Sequence, residues 1–190
     1  MTFTFGPRRG TYVDISEVTP PAGPLTAAEL GHFETFDLLY RSLCALLFNY
    51  VPTSGHPGGS ISSGRIVAAA LFDAMDYELA DPDRPDADVI SYAAGHKAMG
   101  LYAMWALRDE VAAVADPALL PASPEQRLRL EDLLGFRRNP ITQAPLFRAF
   151  GARALDGHPT PATPFVKLST GASGVGVASS IGLGIGAADR

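Results

Sequence analysis

The run Ser54-Gly55-His56-Pro57-Gly58-Gly59 constrains this chain more than any other stretch. Glycine allows positive φ and lets backbone approach a ligand closely. Proline fixes φ and gives up a donor. Such a run is a poor helix and a poor strand, so the sequence predicts a shaped loop here. It stands between two helix candidates and leads into a helix N-terminus, where free N–H groups welcome anions and polar ligand groups. One histidine in such a loop fits a tight turn as well as it fits a site. Two more, His96 and His158, also follow glycines at element ends. Three together favour a site.

Around these loops the chain reads as follows. Residues 1–24 are proline-rich and predict an N-terminal arm lying on a neighbour. Thr26-Ala27-Ala28-Glu29 is a capping-box pattern. Behind it, Phe36, Leu39, Leu43, Leu46, Leu47 and Tyr50 recur at helical spacing, predicting a helix over about 26–50 that Pro52 ends. Ser60 to Ser63 can cap a second helix over Ile66–Met75. Residues 81–86 are turn chemistry. A short strand is expected over Asp88–Tyr92, a glycine turn at Gly95-His96, and a helix over about 97–114. Residues 116–123 are a proline-rich break, Pro124–Leu134 a helix with proline in its first turn, and 135–165 mostly loop. A second short strand, Phe165–Leu168, opens onto Ser169-Thr170-Gly171-Ala172-Ser173-Gly174-Val175-Gly176 and a final helix reaching Arg190. Strand, glycine turn, helix is the local pattern of ligand sites at the carboxyl ends of strands in α/β folds.

Composition narrows the function classes. With 47% apolar and 18% charged residues the chain has a real core, and its net charge of −5 gives no basic face for nucleic acid. The single cysteine, Cys44, lies in an apolar helical pattern and reads as a small buried hydrophobe. It permits no intrachain disulfide, which fits a reducing, cytoplasmic compartment. The start of the chain lacks the apolar core of a signal peptide, and residues 171–188, though uncharged, are short and glycine-rich for a membrane span. His32 lies among Leu30, Phe33 and Phe36 in the first helix and reads as surface or core.

Three chemistries suit the glycine-loop histidines. A metal site is weak, because no HxH or HxxxH spacing occurs and no carboxylate or thiolate accompanies them. A nucleophilic arrangement is weaker, because Ser173 lacks the G-x-S-x-G spacing. A polar cleft for a phosphorylated cofactor or sugar remains, with histidines donating to hydroxyls and phosphates.

The order and spacing of four motifs over residues 26–190 resemble the transketolase family. Ser54-Gly55-His56-Pro57-Gly58-Gly59-Ser60-Ile61-Ser62 resembles its first histidine motif. The segment from Asp88 to Gly95-His96, followed by Leu101-Tyr102-Ala103, resembles its strand ending in Gly-His. Gly157-His158-Pro159 and Thr170-Gly171-Ala172-Ser173-Gly174-Val175-Gly176 resemble its Gly-His-Pro and Thr-Gly-x-x-Gly-x-Gly signatures. The resemblance implies a thiamine diphosphate and Mg²⁺ enzyme that moves two-carbon ketol units between sugar phosphates. It implies that His56 and His158 face substrate, that His96 lies at the cofactor's diphosphate side, and that Gly171, Ala172 and Ser173 line the cofactor. Four positions depart from the family pattern. Lys167 stands where a glutamate is often found, and Thr160 follows Gly157-His158-Pro159 where an acidic residue is frequent. Lys97 follows His96 where a small residue is common, and Val175 stands where glutamine is usual.

The fold expected is α/β, an incomplete parallel-sheet thiamine-diphosphate-binding domain over residues 25–190 with helices on both faces. The family's Gly-Asp-Gly magnesium motif does not occur in the 190 residues. No metal ligand is therefore expected from this chain. Partner chains are expected to supply that motif and the pyrimidine-binding domain, in a hetero-oligomer with a dimeric core. The reading is a split subunit, inactive alone. Its alternative is a non-catalytic scaffold keeping the fold, suggested by Lys97 and Val175. No membrane or nucleic-acid partner is expected.

Overall fold

The structure, a computed structural model, describes residues 23–51, 56–138 and 145–188. By its contacts the chain divides into two compact units, one ending at Glu34 and the other beginning at Thr35. The arm expected over 1–24 falls almost wholly outside the described residues.

The capping box forms as read. The Glu29 amide donates to Thr26 Oγ1 at 3.2 Å, and Glu29 Oε2 accepts from the Thr26 amide at 2.8 Å. Helix α1 runs Ala27–Tyr50. His32 is exposed on it. Helix α2, Pro57–Ala69, differs from expectation. It starts at Pro57, with His56 as its N-cap residue, so Gly58 and Gly59 lie in its first turn and Ser60–Ser63 inside it. Proline at the first helical position loses only an amide that would be unpaired anyway. The helix ends in a π turn, Ala70–Ala74.

Helix α3, Ala98–Ala115, follows a 3₁₀ turn at Gly95–Lys97. Every residue from Ala98 to Asp109 is buried. Small residues make that possible: a Cβ on Gly100 would lie 2.8 Å from Ser60 Cβ, so α2 and α3 touch there. The core around α3 is Tyr40, Cys44, Leu47, Val67, Leu71, Leu133, Phe136, Phe165 and Val166. Cys44 is the inert buried hydrophobe expected, its thiol pushed up to about 11 by burial.

Two strand expectations reduce to one parallel bridge, Ile90 with Val166, in which the Ile90 amide donates to the Phe165 carbonyl at 3.1 Å. Phe165 takes a left-handed φ of 63°. It is pinned by the Tyr77 ring at 4.9 Å and by the Arg108 guanidinium at 5.2 Å. The described residues are helix-rich with few strands.

The helix expected over 124–134 does not form. Pro124–Gln126 and Leu130–Arg138 are 3₁₀ turns, the latter kinked at Phe136 and Arg137. Side chains take the backbone groups a helix needs. Arg153 donates to the Glu125 carbonyl at 2.8 Å and to the Arg127 carbonyl, and Asp109 Oδ2 accepts from the Leu128 amide at 2.9 Å. Buried Asp132 accepts from the Arg129 and Arg153 amides, each at 3.0 Å. Such local alternatives compete with the helix ladder. A short helix α4, Pro145–Ala149, interrupts the following loop. Helix α5 runs Val175–Ala188, and the rest of its expected span, to Arg190, lies outside the described residues.

Candidate functional site

The site is built where α2, the turn before α3, the Gly-His-Pro loop and the start of α5 come together. Gly59 meets the stem of Lys97: a Cβ there would lie 2.8 Å from Lys97 Cε. The His56 and His96 rings stand edge to face, 6.3 Å apart at 84°. Gly95 lies on the Thr-Gly loop, where a Cβ would come within 2.8 Å of Thr170 Oγ1 and 2.9 Å of the Gly171 amide. Gly171 in turn lies under His158, whose Cγ is 3.3 Å from the position a Cβ would take. Gly176 faces Ala93 closely enough that a Cβ would lie 2.9 Å from the Ala93 Cβ. At Gly95 and Gly176, where the neighbours are backbone, a side chain would force the loops apart, whereas at Gly59 it would displace only the Lys97 stem.

Hydrogen bonds hold the frame. Thr170 Oγ1 donates to the Tyr92 carbonyl at 2.7 Å, tying the Thr-Gly loop to the segment that leads to Gly95. Tyr40 donates to the Ser60 carbonyl at 2.7 Å, and Ser60 Oγ to the Lys97 carbonyl at 3.3 Å. The Tyr102 hydroxyl donates to the His158 carbonyl at 3.4 Å. Burial pushes the Tyr102 phenol up to about 12, so it stays neutral and keeps its proton for that bond. Trp105 Nε1 donates to the Pro164 carbonyl at 2.9 Å, anchoring the far end of the same loop on α3.

His56, His96, Gly171 and His158 are linked by these contacts, His96 through Gly95, and Ala172 and Ser173 follow Gly171 along the chain. His56, His96, His158, Ala172 and Ser173 are exposed, and Gly171 is half-buried. Ser54 and Gly55, the opening of the first motif, lie outside the described residues. Three residues take supporting roles that the sequence did not assign to them: Tyr40, Ser60, which it offers as a helix cap, and Thr170, which it offers only as part of the Thr-Gly turn. For Thr170 a signal existed, a hydroxyl residue directly before a close-approach glycine. For Tyr40 and Ser60 none did, because their bond spans 20 residues. No group of three or more His, Cys, Asp or Glu side chains suited to a metal ion occurs among the described residues. No helix among them is long and apolar enough to cross a membrane.

No family model matches the chain. Curated relatives do. Transketolase-like protein 2 of Mus musculus is 32% identical over 143 residues, covering 75% of this chain. Transketolase of the same species is 30% identical over 130 residues, 68% of this chain. Transketolase 2 of Xanthobacter flavus is 29% identical over 133 residues, 70% of this chain.

The chain belongs to the transketolase family.

Against those relatives this transketolase-family chain spans a small part: 17%, 16% and 15% of their respective lengths. The four motifs that carry the resemblance are also the segments that meet in space.

Proposed function

We propose that this chain is the N-terminal part of the thiamine-diphosphate-binding domain of a transketolase-like enzyme, working in the cytoplasm. The enzyme transfers two-carbon ketol units between sugars or related carbonyl substrates and needs partner chains to do so. The partners supply the Gly-Asp-Gly magnesium motif, the pyrimidine-binding domain and the remaining strands of a parallel sheet begun at Ile90 and Val166. One observation carries the reading: four motifs far apart in sequence converge through glycine contacts that leave three histidines exposed, His56 edge to face with His96 and His158 over Gly171.

The residues fit the organic part of the cofactor. The Gly171 loop gives backbone that a bulky ligand can approach, and His96 stands next to it through Gly95. Among the described residues no cluster of side chains supplies the oxygen ligands Mg²⁺ wants, and the reading assigns those ligands to a partner. Thiamine diphosphate supplies an electron sink when bound; the protein orients it and stabilises charge. His56 and His158 hold hydrogen bonds to substrate oxygens, and each can carry a proton to or from them. His96 holds the diphosphate end.

The test is titration of thiamine diphosphate, with and without Mg²⁺, into the chain purified with the chains that accompany it. Saturable Mg²⁺-dependent binding is expected. His96→Ala should weaken it by about 1–3 kcal/mol, the loss of a hydrogen bond to a charged group. Absence of binding would leave the non-catalytic scaffold as the reading.

A further inference from the structure

A cavity of about 170 Å³ lies between Tyr102 of α3, Leu128 and the segments that flank Gly157-His158-Pro159. None of the six residues expected to meet cofactor or substrate lines it. Its volume sets the size of an occupant. An apolar cavity of about 150 Å³ takes up one benzene molecule, and pockets for drug-sized ligands begin at roughly 300 Å³. The space therefore suits about six to eight non-hydrogen atoms and is too small for a diphosphate-bearing cofactor.

The walls set the chemistry. Leu128, Leu155 and Pro164 supply carbon surface, and Tyr102, Thr160 and Thr163 supply hydroxyls. Tyr102 and Thr163 are buried. A hydroxyl can give one proton and accept two. Tyr102 gives its proton to the His158 carbonyl over a long 3.4 Å, and Thr160 Oγ1 accepts from the Ala162 amide at 3.3 Å. Both keep hydrogen-bonding capacity for a guest. Arg153 is the one basic residue of the lining, and its guanidinium is committed to Asp132 and to the Glu125 and Arg127 carbonyls. Asp156 adds a carboxylate. Such a lining favours a neutral, oxygen-rich ligand over a phosphate. Ordered water in a polar cavity is replaced without loss only by groups that reproduce its hydrogen bonds, which a short run of hydroxyls does.

We propose that this cavity binds a neutral polyol or hydroxy-carbonyl compound of about three or four carbons, and that the guest acts on His158 through the Tyr102 hydroxyl. A guest that takes up that hydroxyl loosens its hold on the His158 carbonyl. The cavity is thus a regulatory site beside the one already described. Binding stands on the cavity alone; only its effect on turnover rests on the reading that His158 meets substrate.

The experiment is NMR titration of the full chain, with any chains that co-purify, using erythritol as probe and glycerol 3-phosphate as the charged control. Erythritol should bind saturably with a Kd of about 1–10 mM, and glycerol 3-phosphate at least about tenfold more weakly. Thr163→Val removes a lining hydroxyl at nearly constant volume and should weaken erythritol about fivefold. Ala162→Leu, at an exposed position of the lining, crowds the opening and should weaken it as much; it serves alone if circular dichroism shows Thr163→Val misfolded. The His158 ring resonances, assigned by their loss in His158→Gln, should shift at saturating erythritol in the wild type and stay still in Tyr102→Phe. No saturable erythritol binding, wild-type affinity in either folded variant, or equally tight glycerol 3-phosphate overturns the site. Unmoved His158 resonances in the wild type overturn the coupling. Failure of thiamine diphosphate to bind overturns the cofactor reading and leaves the cavity result standing.

Discussion

Helices α3 and α5 are both rich in small and apolar residues around their whole circumference, yet their surroundings are opposite. From Ala98 to Asp109 α3 is buried on every side. On α5, Val175, Val177, Ile181, Leu183 and Ile185 are exposed, Ile181 at 60%. The glycines repeat the contrast. Gly100 of α3 is pressed against Tyr40 and Ser60, whereas Gly182, Gly184 and Gly186 of α5 have nothing near the position of a Cβ. The difference teaches that an apolar helix states a need for cover without saying what provides it. For α3 the cover is α1 from Tyr40 on, α2 and the loop held by Asp132. For α5 we assign the cover to a partner chain, through an interface above ~2,000 Å² as in obligate complexes.

The largest expected effect tests whether the two helices differ in energy as they do in burial. Trp105→Ala should cost about 3–5 kcal/mol, since it empties a fully buried site and removes the bond to Pro164. Ile181→Ala should cost less than about 0.5 kcal/mol in the chain without partners. Urea denaturation monitored by circular dichroism measures both. Equal costs would break the comparison and show that α5 is covered by its own chain.

A middle-sized effect concerns the cover of α3. Burial opposes ionisation of Asp132, but hydrogen bonds from the Arg129 side chain and from the Arg129 and Arg153 amides outweigh it and hold the carboxyl below its ordinary value. A folded pKa below the unfolded one means stability present above about pH 4 and lost as pH falls through the folded value. Asp132→Asn should cost about 1–3 kcal/mol at neutral pH and flatten the acid limb of the stability curve. An unchanged acid limb would assign that limb to other carboxylates. Helix α5 carries no titratable side chain from Val175 to Ala188, so its exposure should not respond to acid.

The smallest effect has a sign that depends on the partner. Gly182→Ala should stabilise the lone chain by about 0.4–1 kcal/mol, since alanine is the better helix former and the space is open. Gly64→Ala should destabilise it, because the Cβ would run into the Tyr40 ring. With partners bound, Gly182→Ala should turn destabilising, as a close-packed small-residue face is then overfilled. Stabilisation that persists in the assembly would mean the partner does not pack on that face.

Much of the site was legible from residue order alone. Three Gly-His pairs and a Thr-Gly turn named the residues that meet, because glycine is required wherever two backbones approach this closely. What could not be read was their adjacency. His56 touches His96 across 40 positions, and Gly171 lies under His158 because the loop between them is pinned on α3 by Tyr102 and Trp105. The first motif was also misread in part. Its glycines continue a helix whose start is set by proline.

By itself the sequence determined the ends of α1 and α3, the existence of α5, the burial of Cys44, and the identity of the histidines. Caps, periodicity and proline act over a few residues, so those features need no distant partner. Tertiary structure alone decided the rest. Residues 124–134 are not a helix because Arg153 and Asp109, distant in sequence, take their backbone groups. The strand signals at 88–92 and 165–168 yield one parallel bridge, because a strand exists only through the neighbours that complete its hydrogen bonds.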